Sequence, residues 1–186
     1  MRWLAVAALG AMVTIGCGPT PPVTPRAQSL PEQRPAAFAL DVLVRSPIAS
    51  TTDLPRALRP GRYIVDPGGV LRAAVGAGAT RQTYPTHTRQ LSSSQIEALW
   101  RAVRDSGFLD SANPAQVDDP DTLAGSTTRT TATIEVFGLS RPVAVRVALD
   151  RGGATSIAAE QLVDELAGLA WQRDPPVKAE APASQP

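Results

Sequence analysis

Proline divides this chain into a part that can fold and two parts that cannot. Residues 18–37 read GPTPPVTPRAQSLPEQRPAA, with six prolines in twenty residues. Each proline fixes its own φ and removes a backbone donor, so neither a helix nor a sheet ladder can run through the stretch. An extended polyproline-like spacer is expected instead; at ~3.1 Å per residue it would reach roughly 60 Å. The C-terminal DPPVKAEAPASQP (174–186) has the same character and is expected to stay without a core. What remains, residues 38–173, is the length of one domain. Cys17 is the only cysteine, so no intramolecular disulfide can form and the domain must rest on packing alone. With aromatic residues at 4%, that core is expected to be aliphatic, anchored by Trp100, Phe108 and Trp171.

Within 38–173 the apolar pattern changes period several times. Phe38, Leu40, Val42 and Val44 alternate with Ala39, Asp41, Leu43 and Arg45, which predicts a strand. Residues 62–66 and 70–75 flank Asp66-Pro67-Gly68-Gly69, a composition that suits a tight turn and predicts a hairpin. The stretch 76–90 has no clear period, beyond a short strand over Thr86 to Gln90. Ser92 with Gln95 three residues on predicts a capping box, with Leu91 stapled to Ile96, and Ser94 with Glu97 offers a competing box. Ile96, Leu99, Trp100 and Val103 then form a helical stripe, and Gly107 suits the left-handed position after the helix, followed by Phe108 in a Schellman contact with Val103. A long loop, 109–128, precedes a second hairpin: Ala132, Ile134 and Val136 on one strand, Val143, Val145, Val147 and Leu149 on the other. Gly152-Gly153 ends it, and a helix from about Ser156 to Trp171 follows, with Ile157, Leu162, Val163, Leu166, Leu169 and Ala170 inward. The expected fold is α+β, in the order β-ββ-α-ββ-α: an antiparallel sheet of four to five strands with two helices on one face.

The N-terminus carries an address. Arg2 precedes an apolar run of 13 residues, Trp3 to Ile15, too short for a spanning helix of ~20 residues and the right length for a signal-peptide core. The next positions, Thr14-Ile15-Gly16-Cys17, resemble the lipobox of bacterial prolipoproteins, with Thr14 where that family usually has Leu. The resemblance implies cleavage between Gly16 and Cys17, a signal peptide over 1–16, a lipidated Cys17 heading a tether over 17–37, and the lipid bilayer as a partner. Two or three acyl chains hold a protein on a membrane stably where one does not. Gly18 is not the Asp that retains some lipoproteins at the inner membrane, so the implied location is the cell envelope, at the outer membrane where the cell has two.

Composition and motifs narrow the chemistry. Loss of residues 1–16 removes one basic residue, Arg2, from the 18 and leaves 17 against 17 acidic. A neutral domain offers no electrostatic footprint for nucleic acid. The sole lysine, Lys178, lies in the tail, and Gly76-Ala77-Gly78 lacks a third glycine, so no nucleotide site is expected. No cofactor is expected. His87 is the only histidine; a hydrolase would have to be built on it, yet no nucleophile-elbow or zinc motif surrounds it, and a solvent-facing or edge histidine is the better reading. Asp118, Asp119 and Asp121 are candidate cation ligands, but Pro120 interrupts them and calcium needs six or more oxygens, so a solvated loop is favoured. Asp41, Arg72, Glu135 and Arg146 project from strands and are expected to pair across a wet sheet face.

The order of these elements, with the Tyr63-to-Val70 hairpin, the Leu91-Ser92-x-x-Gln95 helix start and the Gly107-Phe108-Leu109 helix end, resembles a group of small bacterial secreted domains. Uncharacterised lipoproteins and the emfourin-type inhibitors of thermolysin-like metalloproteases belong to it. The resemblance implies the same fold over about 38–172, and inhibition of a secreted metalloprotease as one possible activity; no inhibitory residue is carried over. The expected function is a membrane-anchored, non-catalytic protein-binding module with an envelope or secreted partner, bound through the open sheet face or the 109–128 loop.

Overall fold

The computed structural model describes residues 30–47, 54–107, 129–149 and 152–171. Its frame is one antiparallel sheet of six strands: β1 (Ala39–Arg45), β2 (Gly61–Val65), β3 (Val70–Val75), β4 (His87–Gln90), β5 (Thr131–Phe137) and β6 (Val143–Ala148). Their order across the sheet is β4-β3-β2-β1-β5-β6, so the first strand sits between the two hairpins and joins them. The class is the expected α+β. The strand count exceeds the expected four to five because the short β4 pairs with β3 as a sixth strand.

Two helices, α1 (Ser93–Asp105) and α2 (Ala154–Trp171), lie on one face. Alternation explains the division: Leu40, Val42 and Val44 enter the same core as Tyr63, Val65, Leu71, Ile134 and the helical stripes. Helix α1 begins with a full capping box, Ser92 Oγ accepting from the Gln95 amide and Gln95 Oε1 from the Ser92 amide, and Leu91 and Ile96 are both buried beside it. After its C-cap Ser106, Gly107 takes φ +69°. Phe108 lies outside the described residues.

The aromatic anchors differ from expectation. Trp100 is fully buried and meets the ring of Phe38 edge to face, centroids 5.3 Å apart. Its indole N–H has no acceptor among the described residues. Trp171 is not an anchor: at 60% exposure it leaves the core at the last turn of α2. Ile157 also faces outward, at 48% exposure, while Ser156 is buried and donates to the Leu149 carbonyl at 2.8 Å. That bond fixes the rotation of the first turn and turns Ile157 away.

Residues 30–37, assigned by their prolines to the spacer, lie against α1. Leu30 packs on the core, Arg34 meets Glu97 at 3.6 Å, and Arg104 donates to the Glu32 carbonyl at 2.9 Å. Proline prevents a ladder but leaves carbonyls free, and an arm of bends and turns can lie along a helix through them.

Candidate functional site

The sheet face opposite the helices is where the polar side chains gather. Strand register places Asp41 beside Glu135 on one side and Ile64 on the other, then Ile64 beside Arg72, and Arg72 beside His87. The next row runs Arg62, Leu43, Thr133, Arg146. A bulge between β3 and β4 sets the position of His87: Thr88 is the extra residue, and its hydroxyl accepts from the Ala73 amide at 2.9 Å in place of a ladder bond.

Arg62 is the centre of this face. Its Nε and Nη2 grip Asp41 Oδ1 and Oδ2 side-on at 3.1 and 2.6 Å. Its Nη1 donates to the carbonyls of Thr80, Arg81 and Thr83 at 3.2, 2.6 and 3.2 Å, sharing two hydrogens among three acceptors. The hydrogen bonds to Asp41 raise the guanidinium's pKa above its ordinary value, against the opposing effect of burial. Those three carbonyls belong to the segment 76–86, which crosses the sheet from the end of β3. Arg81 of the segment reaches Glu135 on β5. Tyr84 returns over β3, its ring 5.1 Å from the Arg72 guanidinium carbon and its hydroxyl donating to Asp66 Oδ1 at 3.5 Å. Arg72 also pairs with Asp66 at 3.0 Å. Tyr84 remains 60% exposed.

The expected pairing among Asp41, Arg72, Glu135 and Arg146 is therefore replaced. Asp41, Arg72 and Glu135 each have an ionic partner, but the partners are Arg62, Asp66 and Arg81. Arg62 and Arg81 were not legible as site residues. Arg62 shares a phase with Ile64 rather than with Tyr63 and Val65, which marks it as outward; its burial depends on the 76–86 segment, which has no periodicity to read. His87 is exposed on β4, and no side chain among the described residues hydrogen-bonds its ring.

Among the described residues no group of three His, Cys, Asp or Glu side chains could hold a metal ion, and no helix is long and apolar enough to cross a membrane. Cys17 and Gly16, the candidate ligands Asp118, Asp119 and Asp121, and the loop 109–128 lie outside the described residues. No protein-family profile matches this chain, and no curated protein matches it.

Proposed function

We propose that the chain is a lipid-anchored protein of the bacterial cell envelope whose folded domain binds another protein and performs no chemistry of its own. The observation that carries the binding reading is Tyr84, an exposed aromatic held in place by the Arg72 guanidinium and the Asp66 carboxylate. Tyrosine and arginine dominate the energetics of protein interfaces, because a ring fixed before binding loses little entropy on contact. The anchoring reading rests on the Trp3–Ile15 apolar run and the lipobox-like Thr14-Ile15-Gly16-Cys17, with Gly18 favouring the outer membrane of a diderm cell. Inhibition of a secreted metalloprotease is the alternative form of binding, drawn from the resemblance to the emfourin-type domains. A hydrolase built on His87 draws no support from the geometry around the imidazole.

One experiment addresses anchor and partner together. Gentle crosslinking in intact envelopes, followed by purification of the full chain, is expected to recover one defined protein partner with the parent sequence. Tyr84→Ala should reduce its recovery about tenfold, the scale of a single interface hot spot. Cys17→Ser should release the protein from the membrane or block its processing, read as a change in fractionation or in mass. Recovery of no partner would sink the binding reading, and unchanged membrane fractionation together with unchanged mass for Cys17→Ser the anchoring reading.

A further inference from the structure

Two apolar side chains are buried on the side of the sheet away from the core. Leu43 is 3% exposed and Ile64 8%, yet neither joins the helix-side core. In register, Leu43 lies between Arg62 and Thr133, and Ile64 between Asp41 and Arg72. Among the described residues the segment that crosses this face is 76–86, fastened at Arg62, at Glu135 and at Arg72. Of its apolar side chains only Pro85, near the trailing end, is buried. Its one large apolar side chain, Tyr84, faces mostly to solvent.

Ahead of Pro85, what holds the segment down is polar: the Arg62 fork on three carbonyls, the Arg81–Glu135 pair and the Arg72 guanidinium against the Tyr84 ring. Each such bond has a modest net worth, so the segment is held less firmly than the strands beneath it, which share a fully apolar core. Its leading end has the freedom to turn. Gly76 sits at φ +115° with no atom within 4 Å of where a side chain would stand, and Gly78 is equally unobstructed.

We propose that residues 76–86 form a strap that swings about Gly76 as a unit while the sheet stays folded, with Arg62 as its latch and Leu43 and Ile64 as the surface it uncovers. As control over a docking face the strap rests on the binding reading above; as a motion it stands by itself. Opened, the face presents two apolar side chains beside a guanidinium that has lost three carbonyl acceptors. Closed, only Tyr84 and the rim are offered.

Thiol labelling tests the motion, since Leu43 and Val42 are neighbours on β1 that face opposite sides of the sheet. The full chain carrying Cys17→Ser, so that no other thiol reacts, is compared with Leu43→Cys or Val42→Cys added. A strap that opens alone makes position 43 react with a maleimide about tenfold or more faster than position 42, which only global unfolding exposes. Equal rates at the two positions overturn the proposal. Removing the latch pair as Arg62→Gln with Asp41→Asn, which leaves no unpaired buried charge, should accelerate position 43 about tenfold further and leave position 42 within about twofold. Arg81→Ala keeps the latch and should give a smaller gain at position 43 alone; a matching gain at position 42 in either variant counts against a separate strap. None of these rates depends on a partner, so a failed crosslinking experiment and a failed strap are distinguishable.

Discussion

Glu165 shows how a single residue in α2 works against the fold that surrounds it. Burial raises its carboxyl pKa above the ordinary value, and Arg101 only partly offsets this. A carboxyl whose pKa is higher folded than unfolded holds its proton more tightly in the native state. It therefore favours folding at low pH, and this contribution is lost as pH rises through the native pKa. Glu165→Gln should consequently be more stable than the parent at pH 7. The advantage should fade as pH falls toward the ordinary glutamate range of about 4. Urea midpoints at pH 7 and pH 4 would measure it, and a variant less stable than the parent at pH 7 would contradict the assignment. Neither this residue nor Arg62 could be picked out from sequence. Both charges belong to surface-like patterns, and burial reached them from elements distant in the chain: the strap above Arg62, and the packed surroundings of α2 at Glu165.

Among the elements, local chemistry was legible and long-range contacts were not. The α1 capping box, the Asp66–Gly69 turn and the strand alternations are settled by residues within a turn or two of one another, and each stands where the sequence put it. The rotation of α2 departs from expectation at Ile157 and Trp171 because helical spacing leaves two adjacent faces open, and the Ser156–Leu149 bond chooses between them. The β5–β6 turn offers a test of close approach. Gly138 has φ +85°, and a Cβ there would stand 2.4 Å from the carbonyl carbon and oxygen of Ala37. Gly107 has a similar φ of +69° but open space around it. Gly107→Ala should cost about 1–2 kcal/mol from backbone strain alone. Gly138→Ala should cost more than that, because backbone must also move; chemical denaturation of the two variants gives the comparison, and equal costs would show that the Ala37 contact yields freely.

For the whole molecule, the absence of a second cysteine throws the burden of stability onto one shared core. Phe38 occupies its junction, at the entry to the central strand and edge-on to Trp100 of α1. Truncation as Phe38→Ala should cost about 3–5 kcal/mol, against a total of about 5–15 kcal/mol for domains in general. Thermal unfolding should shift sheet and helix signals together, and a variant that lost α1 alone would show that the helix layer is a separate cooperative unit. The docked arm adds a mechanical property to this unit. A pull applied from the N-terminal side arrives first at Leu30 and at the Arg104–Glu32 bond, and reaches β1 only after residues 30–37 have come away from α1. Those eight residues have a contour of roughly 25 Å at ~3.1 Å each, and what they give up before load falls on the central strand is that length less the distance they already span along α1. The arm thus behaves as a spring in series with the domain, yielding under tension while the sheet keeps its register.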